Sequence, residues 1–150
     1  VLRKKALDLL ARREHSVVEL QRKLLAYWQK KNQDDVAQTA AEVLAKLQSE
    51  GLVSDERFTE AFVRYRKNNG YGPLRIQAEL RERGVSDKIQ ASYLDFGDPQ
   101  WLERTVQVRC KRFGAELPKD YKERARQARF LQYRGFTSGQ SRQVLGGDVD

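Results

Sequence analysis

Few residues in this chain have the types that do chemistry. His15 is the only histidine and Cys110 the only cysteine among 150 residues. A metal site or an imidazole-based proton relay needs partners at matching spacing, and the sequence supplies none. His15 instead precedes a helix-capping serine and reads as a structural or surface residue. Cys110 cannot close an internal disulfide, which points to a reducing compartment, and on an apolar helical face it reads as a buried small hydrophobe rather than a nucleophile. Gly70-Tyr71-Gly72-Pro73 lacks the spacing of a phosphate loop and the Lys-Ser/Thr that should follow one. Pro73 also removes an amide that a phosphate would use, so the segment reads as a turn. The reading is of a protein that is not an enzyme, with no metal and no nucleotide cofactor.

What remains is charge. Lysine and arginine number 29 against 21 acids, a net of +8, and residues 101–150 hold 11 basic and 6 acidic side chains, so 11 − 6 = 5 of that surplus lies in the last third. Such an excess favours encounter with polyanions or acidic protein surfaces. At 100° per residue, Lys119, Lys122, Arg126, Arg129 and Tyr133 share one sector of a helix, with Phe130 beside them and Tyr121, Ala125 and Ala128 facing away. Arg104 and Lys111 on the preceding helix widen this candidate patch. Arg57, Arg75, Arg81 and Arg83 form a second, weaker one. A run of cations on a helix is also the ordinary pattern of a solvated face, and the sequence leaves both readings open. For Asp55 and Arg57 a first-turn acid and a surface ion pair stand beside direct partner contact as the two readings, the structural one favoured.

The elements that would carry these residues are helices throughout. Leu2, Ala6, Leu9 and Leu10, then Val17, Leu20, Leu24 and Trp28, then Val36, Ala40, Val43, Leu44 and Leu47 recur at helical spacing. Ser16 to Glu19 is a capping box, in which the serine oxygen and the glutamate carboxylate satisfy two orphaned amides reciprocally. Ser54 caps a helix with Phe58, Ala61, Phe62 and Tyr65 on its stripe, Gly72-Pro73 opens another with Ile76 and Leu80 inward, and Ser86 caps a third. Leu102, Val106, Cys110 and Phe113 predict the inward face of a helix after Asp98-Pro99. Tyr121, Ala125, Ala128 and Leu131 predict that of the next, and Thr137 to Gln140 a capping box before Val144, Leu145 and the stops Gly146 and Gly147. There is no sustained apolar alternation of the kind a strand needs. No window approaches the roughly 18 apolar residues of a membrane span, and the polar helical start predicts no secretory leader.

The helices repeat. Pairing Ser16, Leu20 and Leu24 with Gly72, Ile76 and Leu80 gives an offset of 72 − 16 = 56, and pairing Gly84 with Gly135 gives 135 − 84 = 51. Three three-helix repeats follow, over 1–50, 51–97 and 98–150. Each is too small to be comfortably stable alone, and stacking predicts an elongated, curved, all-α array.

Four strings, in order, resemble one family. Arg13-Glu14-His15-Ser16-Val17-Val18-Glu19-Leu20-Gln21-Arg22-Lys23-Leu24, Gly51-Leu52-Val53-Ser54-Asp55-Glu56-Arg57-Phe58, Gly72-Pro73-Leu74-Arg75-Ile76-Gln77-Ala78-Glu79-Leu80 with Arg83-Gly84-Val85, and Phe130-Leu131-Gln132-Tyr133-Arg134-Gly135-Phe136 are similar to the signatures of the bacterial RecX family. The resemblance spans most of residues 1–145. It implies tandem three-helix repeats and a cytoplasmic, monomeric, non-catalytic regulator that binds RecA filaments on DNA, suppresses recombinase, ATPase and coprotease activities in DNA repair and the SOS response, and meets single- and double-stranded DNA only weakly. It implies no catalytic residues. The alternative is a direct, non-specific DNA-binding protein of helix-turn-helix-like units.

Overall fold

The computed structural model describes residues 1–29 and 36–146, the latter with side chains from residue 39. Among the described residues there are nine α-helices and no strand: α1 (Leu2–Arg12), α2 (Val17–Gln29), α3 (Val36–Ser49), α4 (Asp55–Asn68), α5 (Pro73–Glu82), α6 (Asp87–Tyr93), α7 (Gln100–Phe113), α8 (Tyr121–Arg134) and α9 (Ser138–Leu145). The all-helical reading holds. The Val36 side chain and Gly147 lie outside the described residues. No described helix is long and apolar enough to cross a membrane.

The chain divides into two compact units, Val1–Phe62 with Leu80–Gln90, and Val63–Glu79 with Ala91–Asp150. In the first, α1, α2 and α3 pack on one another around Leu2, Ala6, Leu9, Leu20, Leu24, Ala40, Leu44, Leu47 and Val53. The capping box forms as the spacing predicts: the Glu19 amide donates to Ser16 Oγ at 3.1 Å and the Ser16 amide to the Glu19 carboxylate at 3.3 Å. Tertiary contacts complete this helix start. The Ser16 hydroxyl donates to the Arg83 carbonyl at 2.8 Å, and the Val17 amide donates to Asp55 Oδ1 at 2.8 Å. The start of α2 is thereby locked to two other segments of the same unit.

In the second unit α7, α8 and α9 pack together. The inward faces in this unit differ from those the sequence predicts. Leu102 and Val106 are 39% and 43% exposed, and the buried side of α7 is Trp101, Thr105 and Arg109, one residue earlier at each turn. Polar satisfaction explains the rotation. Arg109, 2% exposed, donates to the carbonyls of Gly114, Ala115 and Glu116 and to Gln127 Oε1, so it closes the α7–α8 connection from inside. Trp101 Nε1 donates to the Asp95 carbonyl at 2.9 Å and Thr105 Oγ1 to the Trp101 carbonyl at 2.6 Å. Bonded to four oxygens, the guanidinium satisfies loop carbonyls that would otherwise be left dry, although its Nε stays unpaired. On α8, Tyr121 is likewise exposed, and Gln127 and Leu131 face inward. The second capping box forms as predicted, with the Gln140 amide on Thr137 Oγ1 at 3.1 Å and the Thr137 amide on Gln140 Oε1 at 2.8 Å. It sets α9 so that Val144 and Leu145 are buried.

Candidate functional site

His15 is buried and fully bonded. Its Nδ1 lies 3.0 Å from the Arg13 carbonyl and its Nε2 3.0 Å from Lys23 Nζ. A neutral ring that donates from Nδ1 and accepts at Nε2 satisfies both contacts. Burial lowers its pKa, and the charges of Arg13 and Lys23 act in the same direction against the Arg13 carbonyl and Glu19. Cys110 is half-buried, 3.5 Å from Arg109 Nη2, and is less enclosed than its apolar neighbours suggested. Among the described residues no cluster of three or more His, Cys, Asp or Glu could hold a metal. The Gly70-Pro73 segment is a turn whose Gly72 amide already donates to the Arg134 carbonyl at 2.7 Å.

The structure sorts the basic residues by what faces them. Lys122, Arg126, Arg129 and Tyr133 lie exposed on α8, with Lys119 exposed just before it. Arg126 is bonded to Glu123 at 2.9 and 3.0 Å, which holds the Glu123 carboxyl down at about 2. Three of the weaker candidates, in the first unit, meet acids: Arg57 with Glu14 at 3.0 Å, Arg81 with Asp87 at 3.5 Å, and Arg83 with Glu19 at 4.0 Å. Arg75, in the second unit, meets aromatic rings instead, at 4.6 Å from the Tyr71 centroid and 5.3 Å from that of Tyr133.

Arg104 and Lys111 belong to a different arrangement from the α8 stripe. Together with Lys67, Arg112 and Arg134 they line a cleft of about 520 Å³ in the second unit, completed by Asn68, Asn69, Gly70, Gln107, Val108 and Phe130. Three helix ends meet at it, and Arg104, Gln107 and Val108 come from the body of α7. Lys67 lies in the last turn of α4, Lys111 and Arg112 in the last turn of α7, and Arg134 closes α8. Gly70, with φ +86°, turns the chain away after α4, and a Cβ there would stand 3.2 Å from Val108, so the end of α4 lies close on α7. Arg104 Nη2 donates to Asn68 Oδ1 at 2.9 Å across the same junction.

Aromatic rings hold the guanidinium groups in place. Arg134 stands over Tyr71 at 4.7 Å and Phe130 at 5.6 Å, Arg112 over Phe130 at 5.6 Å and Phe113 at 5.9 Å, and Arg126 over Phe113 at 5.0 Å. Phe113 meets Phe130 edge-on at 5.3 Å. A ring face stabilises a cation without neutralising it. Helix carbonyls do not neutralise the cleft either: three C-termini offer about half a negative charge each, while five cations and, among the described residues, no acid line it. The surplus is available to an external anion. Sequence reasoning missed Lys67, Arg112 and Arg134, whose only local signal is a basic residue in a helix's last turn.

Two sequence profiles match the chain, those described as the RecX second three-helix domain, over residues 54–94, and the RecX third three-helix domain, over residues 98–145. The chain belongs to the RecX family. Relatives agree along nearly the whole length. Regulatory protein RecX of Pseudomonas entomophila is 42% identical over 97% of this chain and 90% of its own, and that of Halorhodospira halophila 45% identical over 94% and 84%. The crystal structure of RecX from Lactobacillus salivarius superposes with a TM-score of 0.76 at 21% identity, covering 96% of this chain and 92% of that one, and shows the shared fold. The two RecX profile segments correspond to α4–α6 and α7–α9, and the cleft draws Lys67 from one and Arg104, Lys111, Arg112 and Arg134 from the other.

Proposed function

We propose that this RecX family member is a non-catalytic regulator that binds RecA filaments on DNA and restrains recombinase, ATPase and coprotease activities, acting as a cytoplasmic monomer. The observation that carries the reading beyond family membership is the cleft of five cations with no lining acid among the described residues, because a filament of protein on DNA offers phosphates and acidic side chains together. The α8 residues Lys119, Lys122, Arg126, Arg129 and Tyr133 extend the basic surface. We read the chain as three-helix repeats over 1–50, 51–97 and 98–150, a division supported by the mutual packing of α1–α3 and of α7–α9.

The same cations favour a second reading, direct non-specific binding to DNA. One titration separates the two. Affinity for DNA coated with RecA is compared with affinity for bare DNA at matched salt, and DNA-dependent ATP hydrolysis by RecA is followed in parallel. The regulator reading expects tighter binding to coated DNA and suppression at a substoichiometric ratio, with no hydrolysis by the chain itself. Equal affinity for the two DNAs supports the second reading, and a one-to-one requirement for suppression supports sequestration of RecA.

A further inference from the structure

We infer that the cleft in the second unit binds consecutive phosphates of a single nucleic-acid strand and does so without reading its bases. The inference deepens the filament reading, on which it rests for the DNA the chain would meet, by assigning the cleft to phosphate rather than to acidic side chains.

Three features of the cleft select the ligand. The first is charge: Lys67, Arg104, Lys111, Arg112 and Arg134 enter it with no acid lining it among the described residues. A single carboxylate leaves most of that charge unmatched, whereas a strand brings one negative charge per phosphate at regular spacing. The second is direction. Lys67, Lys111, Arg112 and Arg134 come from the ends of three different helices, Arg104 comes from the body of α7, and the Asn68 and Asn69 amides add neutral donors from the end of α4. A carboxylate accepts in one plane, but the tetrahedral oxygens of a phosphodiester accept from several sides. The third is the state of the one ring that lines the cleft. Phe130 is flanked by the Arg112 and Arg134 guanidinium groups, both 5.6 Å from its centroid, and by the edge of Phe113. Both guanidinium groups already engage that ring, and a single ring held this way is not the row of open aromatic platforms through which single-strand binders hold bases. The concavity also suits one flexible strand, since a duplex carries its phosphates on a stiff convex surface that meets only the rim.

The test uses fluorescence anisotropy with the full chain and no RecA. The probes are a labelled single-stranded oligonucleotide, an abasic strand of the same length, a duplex of the same sequence, and a polyglutamate peptide of equal charge. The single and abasic strands are expected to bind alike, and the duplex and the peptide more weakly. Arg104→Gln/Lys111→Gln is expected to weaken strand binding about tenfold and to lower the slope of log affinity against log salt by about 1.4, two phosphates at about 0.7 each. Lys4→Gln/Arg12→Gln removes the same charge on α1, outside the cleft and the α8 stripe, and is expected to change both far less. Thermal melting checks that the cleft variant is folded, and Lys111→Gln alone, expected to lower the slope by about 0.7, replaces it if it is not. Preferential binding of duplex or peptide, a marked preference for the base-bearing strand, or equal losses in the two double variants would overturn the inference. RecA inhibition is measured separately. If the cleft variant loses strand binding and keeps inhibition, the phosphate site stands and the cleft drops out of the regulatory surface. If it loses inhibition and keeps strand binding, the phosphate assignment fails and the filament reading stands.

Discussion

Gly72 and Gly135 lie backbone against backbone: a Cβ on Gly72 would stand 2.4 Å from the Gly135 carbonyl carbon, and one on Gly135 would stand 2.4 Å from Arg75 Cβ. Hydrogen bonds close the contact, from the Gly72 amide to the Arg134 carbonyl at 2.7 Å and from the Leu74 amide to the Gly135 carbonyl at 2.9 Å. The start of α5 is thereby fixed to the α8–α9 turn inside the second unit, and Arg75 and Arg134 come to share the Tyr71 ring.

That contact predicts a ranking of glycine variants. Gly72 is not in the left-handed region, so Gly72→Ala carries a steric cost alone, expected at about 1–3 kcal/mol. Gly135→Ala combines a similar clash with a φ of +100° and should cost more. Gly51, at φ +72° with nothing within 4 Å, isolates the backbone part, and Gly51→Ala should cost about 1–2 kcal/mol. Urea unfolding measures all three, and a neutral Gly72→Ala would show that α5 is not held tightly there.

Leu20 and Leu80 are both fully buried in the first unit. Truncation of each to alanine leaves a cavity and should cost about 2–5 kcal/mol. Leu7→Ala, at an exposed position on α1, should change stability by about 0.5 kcal/mol or less. Similar values at all three positions would contradict the inward faces of α2 and α5.

His15 predicts a pH dependence of stability. Its folded pKa lies below the ordinary 6.5, so the unfolded chain takes up the proton first and protonation favours unfolding. The contribution is complete above about pH 6.5 and is lost as pH falls through the depressed folded value. The neighbouring carboxylates act in their own, lower range: burial raises Asp55, while for Glu19 burial is outweighed only by the Arg13 hydrogen bonds, the charges of Arg13 and His15 and the Ser16 amide acting together, which lower it. Denaturant unfolding at pH 8, 6.5 and 5.5 should show the loss in the native chain and a flatter profile in His15→Gln. Parallel profiles would assign the dependence to other groups.

The α8 stripe predicts that folding and function come apart. Lys122 and Arg129 are exposed and, unlike Arg126, are not held by Glu123. Lys122→Glu/Arg129→Glu should therefore leave the melting temperature nearly unchanged, surface substitutions costing about 0.5 kcal/mol or less each. Inhibition of RecA and its salt dependence should both fall. Lys4→Glu/Arg12→Glu is the matched charge change on α1, and it avoids Arg13, which is bonded to Glu19 at 2.8 Å. Equal loss in the two pairs would mean diffuse electrostatics. Full inhibition in the Lys122/Arg129 pair would return the stripe to a solvated face.

The sequence by itself determined what depends on residues a few positions apart. Both capping boxes, Ser16 with Glu19 and Thr137 with Gln140, involve groups three residues apart and form wherever a helix begins. The period of Leu20 and Leu24, or of Ile76 and Leu80, needs only the helical repeat to place a leucine face inward. The tertiary structure decided the rest. The inward side of α7 went to Trp101, Thr105 and Arg109 because the carbonyls of residues 114–116 needed a donor, a demand invisible in the spacing of Leu102 and Val106. The cleft, too, is a product of packing. Lys67, Arg104, Lys111, Arg112 and Arg134 lie up to 134 − 67 = 67 residues apart in sequence, and only the three on α7 are joined by a local pattern. They meet because helix ends converge where Gly70 turns beside Val108, and because a charge left unpaired at one helix end becomes a site only when other ends bring theirs to the same space.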